Sequence, residues 1–296
     1  MNGTLTALDG IKVGHWTHTE AQTGCTVVLC PPAGCVASGY VLGAAPGSRE
    51  LALLEPSKTV ERVNAVVLTG GSAFGLAVAD GVMAWLESQN IGFETPFGVV
   101  PIVPSAVIYD LASGDARIRP DAAAGLAAAK AATAQAVTQG RVGAGTGALV
   151  GKYLGFDKAA RGGLGSALLE VGGAKVAALT VCNAVGDIFD PDTHERVAGA
   201  VGKPDGFDIA DLRGMNTTLV VATDALLTKA QAHLLSQSAQ IGIARVTRPS
   251  HTVQDGDTTF VLSTGKVADV SQMVLSIAVQ SVVAQAIVRG VRLANA

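Results

Sequence analysis

The chain has 296 residues, enough to bury a large core in one or two domains. Its net charge of −3 and scattered basic residues argue against a nucleic-acid-binding surface. The N-terminus lacks a basic-then-apolar signal pattern, and no run of eighteen uncharged apolar residues occurs, so we expect a cytoplasmic protein without membrane contact. The four cysteines are spaced like neither metal-binding pairs nor a disulfide framework, and we expect buried, reduced thiols.

The first half of the chain predicts two strands and two helices. β-Branched runs bounded by turn residues predict strands at 24–30 and 63–69. The second strand is followed by a glycine-rich turn at 70–72 and an apolar helix pattern that ends at 85–89. An alanine-rich helix is predicted at 122–137.

The second half begins with a hairpin, predicted where two strand patterns flank Gly172-Gly173. The elements after it are a strand at 217–223, a helix that starts with a Thr228/Gln231 capping box and reaches about residue 245, a strand at 258–263, and a last helix whose apolar part is 273–288. The last helix carries a polar stripe at helical spacing, which is typical of a core helix.

The order of these elements predicts the fold class. Runs of strands bracketed by helices, without regular strand–helix alternation, favour a layered α+β sandwich in one domain, 1–296. The only shift in composition is the polar segment 186–214, which we expect to be an exposed loop. Loops of this length in compact domains usually have a function. This one ends just before Asn216 and Thr217.

Common ligand signatures are incomplete in this sequence. The segment "RVGAGTGALVGKY" has Thr146 where a phosphate-binding loop needs glycine, and Tyr153 where it needs serine or threonine. His15 and His18 have no further metal ligand nearby, so we expect surface or capping histidines, no metal and no cofactor. The small residues at 70–72 predict backbone N–H groups free to receive an anion, with a tight turn as the alternative.

Thr217 is a candidate nucleophile. A polar loop precedes it, a core strand follows it, and the acidic pair Asp255 and Asp257 lies downstream. Cleavage of the Asn216–Thr217 bond would give Thr217 a free α-amine, whose pKa of about 7.7–8.0 suits a general base for its own hydroxyl. The alternatives are an ordinary strand-edge threonine and an Asp-Gly turn.

Four segments occur in a characteristic order: "VVLTGGSAFGLAVADGV", "PIVPSAVIYDL", "GMNTTLVVATDALLTKAQ" and "RPSHTVQDGDTTFVLSTG". Together they resemble the P1 family of self-processing hydrolases, peptidase family S58. This family includes L-aminopeptidase/D-esterases, β-peptidyl aminopeptidases and the nylon-oligomer hydrolase. The resemblance implies a four-layer αββα sandwich, similar to N-terminal-nucleophile hydrolases but differently connected, and a homo-oligomer of processed units, often a tetramer.

The resemblance also implies self-cleavage before Thr217, into chains 1–216 and 217–296. The other implied site residues are Tyr109, Lys152, Asn183, Asp255, Asp257 and the turn Gly70, Gly71 and Ser72. As a neutral amide donor, Asn183 suits a developing oxyanion, and Tyr109 can donate a second hydrogen bond. Lys152 would stabilise negative charge or pair with one of the two aspartates, with a surface lysine as the alternative.

We therefore expect an N-terminal-threonine amidohydrolase that acts on small peptides with a free N-terminal residue, or on short amide oligomers. Asp255 and Asp257 depart from the Ser and Glu of the aminopeptidase members and match the nylon-hydrolase pattern. We expect one of them to hold Thr217 and the other to be anchored by Lys152. Two alternatives from other classes are an ornithine-type acetyltransferase with a threonine nucleophile and a non-catalytic module in which Thr217 is structural.

Overall fold

The computed structural model of the chain describes residues 2–202 and 217–296. The predicted cleavage residue Asn216 and the end of the predicted loop lie outside the described residues. The α-helices of the described part are α1 (Val78–Ser88), α2 (Ala122–Lys130), α3 (Lys229–Val246) and α4 (Gln272–Ala294). The short 3₁₀ segments are Leu5–Ala7, Ala52–Leu54, Ser72–Ala77, Gly143–Gly145, Lys152–Leu154 and Phe156–Lys158.

Eighteen strands lie within these two ranges, several of them only two or three residues long. In chain order they are β1 (Lys12–His18), β2 (Thr23–Leu29), β3 (Cys35–Leu42), β4 (Ser48–Arg49), β5 (Arg62–Val63), β6 (Ala65–Thr69), β7 (Phe93–Thr95), β8 (Gly98–Val100), β9 (Ser105–Val107), β10 (Leu149–Val150), β11 (Ala160–Arg161), β12 (Gly163–Val171), β13 (Ala174–Cys182), β14 (Asp187–Phe189), β15 (Arg196–Ala198), β16 (Thr218–Ala225), β17 (Thr247–Arg248) and β18 (Asp257–Val267). The strands predicted at 24–30, 63–69, 217–223 and 258–263 are found as β2, β6, β16 and β18.

Two large sheets carry the fold. The first has the strand order β1–β2–β6–β9–β4 and the second β12–β13–β16–β18–β3–β5. In the second sheet β16 and β18 are parallel, with Thr218 opposite Thr258. A parallel pair needs a long crossover connection, and α3 lies within it and packs against β18 and β3. The N-terminal ends of β16 and β18 therefore meet at one edge of the sheet.

Three hydrophobic clusters fill the spaces between sheets and helices. One joins the first sheet to α1 and α2, the second joins the two sheets, and the third joins the second sheet to α3 and α4. Along β16, Leu219 and Val221 belong to the cluster with the helices, whereas Val220 and Ala222 belong to the cluster between the sheets. This alternation follows from the two-residue period of a strand. The mixed helices and sheets form the predicted α+β fold.

Two local predictions are confirmed in the second half of the chain. Gly172 and Gly173 join β12 to β13 with φ angles of 56° and 79°. Positive φ at both central residues is what a two-residue hairpin turn requires, and glycine adopts it without strain. Thr228 and Gln231 form the predicted reciprocal capping box at the start of α3.

The last helix, α4, packs against β12, β13 and α3. Among the described residues it is the one helix long and apolar enough to cross a membrane by length and composition alone. However, 61% of its most apolar window is buried inside the protein, as the sequence predicts for a core helix. The cysteines also follow the prediction: all are free and buried, at Cys25, Cys30, Cys35 and Cys182.

The alanine-rich helix is shorter than predicted. It ends at Lys130, because the chain then turns to join the first sheet. There Thr133 and Val13 exchange two main-chain hydrogen bonds of 3.0 and 3.1 Å. Alanine favours a helix wherever it occurs, so this composition does not mark the end of the helix.

The predicted exposed loop 186–214 is only partly right for the part that the structure describes: 192–196 is exposed, whereas 186–188 is buried. Strands β14 and β15 pair with each other there, and Ile188 is fully buried. Asp187, also buried, accepts hydrogen bonds from the Tyr153 hydroxyl at 3.0 Å and from the Ala200 N–H at 2.8 Å. A buried carboxylate satisfied in this way ties the segment to the fold.

The two N-terminal histidines differ in their surroundings. His18 accepts a hydrogen bond from the Ala21 N–H at 3.1 Å, as expected of a capping histidine. His15 is not a surface residue: its Nδ1 lies 3.0 Å from the Thr26 Oγ1, and burial lowers its pKa to about 4. Within the described ranges, no group of three or more His, Cys, Asp or Glu side chains is placed to hold a metal ion.

Candidate active site

Thr217 lies immediately before β16 and is completely buried. Its main-chain N–H donates to Asp257 Oδ1 at 2.7 Å, and its carbonyl accepts the Thr258 N–H at 3.1 Å. In the continuous chain this nitrogen is an amide, and it occupies the place of the α-amine that cleavage before Thr217 would release. The structure thus joins two of the predicted site residues directly.

The Thr217 hydroxyl is buried and forms no hydrogen bond to a nitrogen or oxygen atom of the described residues. Its neighbour is the Cys182 thiol, whose pKa burial raises to about 12 and contact with Thr217 partly lowers. An unsatisfied buried hydroxyl costs about 1–3 kcal/mol and is rare enough to suggest a function. Thr218 shares this feature and is therefore a useful comparison.

Asp257 is buried, and each of its oxygens lies close to a nitrogen atom. While Oδ1 accepts the Thr217 N–H, Oδ2 lies 2.8 Å from His251 Nδ1. Burial alone would lower the pKa of His251, but the neighbouring Asp257 carboxylate raises it above the ordinary value. The sequence analysis assigned no role to His251, although the residue lies in one of its four segments.

Asp255 is 1% exposed and bonds locally. Its Oδ2 accepts the main-chain N–H of Thr252 at 2.8 Å and the Thr252 hydroxyl at 2.7 Å. Burial, together with the charge of Asp257, raises the pKa of Asp255 to about 6. The anchor of this carboxylate is therefore Thr252, and the predicted anchor Lys152 acts on it only through its charge.

Lys152 is completely buried, so the alternative of a surface lysine is wrong. Its Nζ donates to the Asn183 carbonyl at 2.7 Å. Burial lowers the pKa of Lys152 to about 7, against the opposing charges of the Asp255, Asp257 and Asp110 carboxylates. Among the described residues, Lys152 forms no ion pair with Asp255 or Asp257, the two aspartates that it was predicted to pair with.

Asn183 follows the last residue of β13 and holds three segments together. Its Oδ1 accepts the Leu149 N–H at 3.0 Å, and its Nδ2 donates to the Tyr109 carbonyl at 3.3 Å. An amide nitrogen carries two hydrogens, so one N–H is left for a substrate oxygen. Tyr109 is thus linked to Asn183 through its main chain, and its half-buried ring packs at 6.3 Å from the Phe156 ring.

The turn at 70–72 is bonded to the residues on either side of Tyr109, so its N–H groups are not free. Gly70 N–H donates to the Gly24 carbonyl at 2.9 Å, and Ser72 N–H donates to the Ile108 carbonyl at 3.0 Å. Gly71 N–H donates to the buried Asp110 Oδ1 at 2.7 Å. The expectation of free donors at these three positions is therefore not met.

Asp110 explains why this turn contains glycine. A β-carbon at Gly70 would overlap the Asp110 Oδ2, and Gly71 has a φ of 82° that favours glycine. Burial raises the pKa of Asp110, opposed by its hydrogen bonds to Gly71 and Thr23. The sequence analysis missed Asp110, since nothing in the sequence pairs it with the turn.

Comparison with known proteins determines the family. The model of peptidase family S58 matches residues 3–296. The chain belongs to peptidase family S58. The resemblance noted in the sequence is thereby confirmed, and the protein is a hydrolase.

Two relatives of this S58 chain carry informative names. An uncharacterised aminopeptidase of Mycobacterium leprae is 41% identical over 299 residues, which cover 89% of this chain and 79% of the relative. A 6-aminohexanoate-oligomer endohydrolase of Kocuria is 30% identical over 278 residues, which cover 87% of this chain and 74% of the relative. The names of these relatives thus correspond to the two substrate classes in the sequence analysis, peptides and short amide oligomers.

A solved structure gives the fold of this S58 chain. The L-aminopeptidase D-Ala-esterase/amidase of Ochrobactrum anthropi, described as a variant of the Ntn-hydrolase fold, matches with a TM-score of 0.74. The match covers 98% of this chain and 85% of that chain at 21% identity. The fold is therefore of the Ntn-hydrolase type.

Proposed function

We propose that the protein is an autocatalytically processed N-terminal-threonine amidohydrolase. One observation carries the proposal: the Thr217 nitrogen is held by the buried Asp257 carboxylate, while the Thr217 hydroxyl is buried without a hydrogen-bond partner among the described nitrogen and oxygen atoms. A nitrogen held by an acid beside an unused hydroxyl is the arrangement that an N-terminal nucleophile needs.

The first reaction is self-cleavage. The Thr217 hydroxyl attacks the Asn216 carbonyl, the Thr217 nitrogen leaves as an amine, and the acyl group passes from nitrogen to oxygen. Water then hydrolyses this ester and releases the Asn216 carboxylate. The products are the chains 1–216 and 217–296, and each step uses only the peptide, its hydroxyl and water.

In turnover the released amine takes the proton of its own hydroxyl while the oxygen attacks the amide of a substrate. The protonated amine then returns the proton to the leaving amine, and water hydrolyses the acyl-enzyme. The remaining N–H of Asn183 and the Tyr109 hydroxyl would donate to the oxyanion. The protonated form of Lys152, which is buried beside Asn183, would stabilise this negative intermediate.

We further propose the arrangement and assembly that the family resemblance implies. The order of the hydrophobic clusters, helices–sheet–sheet–helices, supports a four-layer αββα sandwich in a single self-processing domain. The assembly would be a homo-oligomer, a tetramer of processed units, in the cytoplasm. The turn Gly70, Gly71 and Ser72 would contact the substrate through atoms other than its three bonded N–H groups.

The proposed substrates are small peptides with a free N-terminal residue. The name of the Mycobacterium leprae relative supports this choice. Short 6-aminohexanoate oligomers are the second candidate, favoured by the Kocuria relative. Rates on amino-acid p-nitroanilides, on the same compounds with an acetylated N-terminus and on 6-aminohexanoate oligomers distinguish the two. Faster release from acetylated than from free anilides would contradict the aminopeptidase assignment.

The role of Asn183 makes a separate prediction. Asn183→Ala should lower kcat by roughly 10²–10³-fold, as expected when an oxyanion donor is lost. It should also lower the melting temperature, because the Leu149 N–H loses its acceptor. The measurement is kcat well below the melting temperature, beside a thermal melt.

Asn64→Ala is the matched control. Asn64 is also buried, and its Oδ1 accepts the Ile102 N–H at 2.9 Å, but it lies in the bend between β5 and β6. This bend is at the end of β3 opposite to the end that pairs with Asp257. We expect this variant to lose stability and to keep kcat. Similar kcat losses in both variants would show that Asn183 is only a structural asparagine.

A further inference from the structure

His251 is a largely buried imidazole with an oxygen atom close to each ring nitrogen. Its Nδ1 lies 2.8 Å from Asp257 Oδ2, and its Nε2 lies 3.1 Å from the main-chain carbonyl of Gln240 on α3. A carbonyl only accepts, so Nε2 must carry a proton. Gln240 also donates from its side chain to the Asp257 carbonyl at 3.1 Å, so α3 holds both partners in place.

The proton between His251 and Asp257 belongs on the imidazole. The ordinary pKa of histidine, about 6.5, is well above that of aspartic acid, about 3.9. With both nitrogens protonated, His251 is an imidazolium that faces the Asp257 carboxylate. Such a pair makes the burial of the Asp257 charge far less costly than burial of a lone carboxylate.

We propose that His251 is a positioning residue for the nucleophile. Its imidazolium balances the charge that Asp257 directs at the Thr217 nitrogen. This inference rests on the proposed function, because it concerns the α-amine that cleavage would release.

The balance matters because the amine has to work as a base. A lone carboxylate beside an ammonium group raises the pKa of the ammonium and keeps it protonated. A cation on the other oxygen of Asp257 weakens this effect while the carboxylate still orients the amine. With His251 in place, Asp257 can orient the amine without keeping it protonated.

The surroundings of His251 leave few other groups that act on it. It shares a surface groove with neutral side chains of α3 and with Tyr40 of β3. Among the described residues, the charges that act on the imidazole are those of Asp257 and Asp255, at the start of β18 and just before it. These two carboxylates are therefore the charged groups that favour the protonated form of His251.

The test compares His251→Asn, which removes the charge, with His251→Arg, which keeps a cation at the groove. We expect the acid limb of the pH profile of kcat/KM to move up by about 1 pH unit in His251→Asn, because the full charge of Asp257 then raises the pKa of the amine. In His251→Arg the limb should stay near that of the wild type. A lower rate with an unshifted limb in His251→Asn would reduce His251 to a structural residue.

Self-cleavage of the two variants is a further readout. If His251→Asn folds but stays uncut while His251→Arg is cut, the requirement for a cation at this position is supported. If both variants melt like the wild type and neither is cut, the charge account is overturned.

A second measurement does not depend on catalysis. In full-length protein with ¹⁵N-labelled histidine, the His251 signals, assigned by their loss in His251→Asn, should show two protonated nitrogens and a titration midpoint above about 6.5. A midpoint at or below that value overturns the inference. If the imidazolium is found but the wild type is neither cut nor active, the proposed function fails, and the assigned role falls with it.

Discussion

Replacing Thr217 by valine is expected to abolish both self-cleavage and turnover. Valine has the shape of threonine without the hydroxyl, so the nucleophile is lost while the volume is kept. Loss of a catalytic nucleophile lowers kcat by roughly 10⁵- to 10⁶-fold. Since the hydroxyl has no partner among the described nitrogen and oxygen atoms, the variant should fold and melt at or above the wild-type temperature. Gel electrophoresis, p-nitroanilide release and a thermal melt measure these effects.

Thr218→Val is the control for this variant. Thr218 is also completely buried with an unpartnered hydroxyl, but it is the next residue along the chain, so its side chain points to the opposite face of the sheet. We expect this variant to be cut and to keep its kcat. Cleavage of the Thr217→Val chain at the normal place would remove the threonine from the mechanism.

Replacing Asp257 is expected to have the second largest effect. Asp257→Ala removes the carboxylate that holds the Thr217 nitrogen and leaves His251 without its anionic partner. Both reactions use the oriented threonine, so self-cleavage and turnover should both fall, by about 10³–10⁴-fold, as when a buried orienting aspartate is removed from a catalytic group. The cleaved fraction over time and the rate on a peptide anilide are the measurements.

Asp255→Asn is the comparison for this prediction. Asparagine keeps the acceptor for Thr252, so local structure is retained, but a negative charge near Lys152 is lost. We expect slower turnover with some processing. If both aspartate variants process and turn over like the wild type, the pair is an ordinary Asp-Gly turn and its assignment to the site is wrong.

Features that depend on neighbouring residues could be predicted from the sequence. The glycine pair of the hairpin, the capping box of α3 and strand β16 are all specified within short segments, and the structure has all of them. The end of α2 could not be predicted in this way, because it is determined by pairing of Thr133 with a strand far away in the chain.

The same distinction applies to the site. The sequence motifs identified Asp257 and Lys152 as site residues. They did not show that His251 would lie beside Asp257, or that Lys152 would donate to the main-chain carbonyl of Asn183. These contacts depend on how α3 and the two sheets pack. At Gly71 the sequence pattern predicts a free backbone N–H. In the structure this N–H donates to Asp110, a residue far along the chain.

The central claim is that Thr217 becomes an N-terminal residue through self-cleavage. The most direct test is the intact mass of the purified chain after denaturation, with the N-terminal sequence of the smaller fragment. The account predicts two masses, those of 1–216 and 217–296, and a smaller fragment that begins Thr-Thr-Leu. A single uncut mass after long incubation at neutral pH would contradict it.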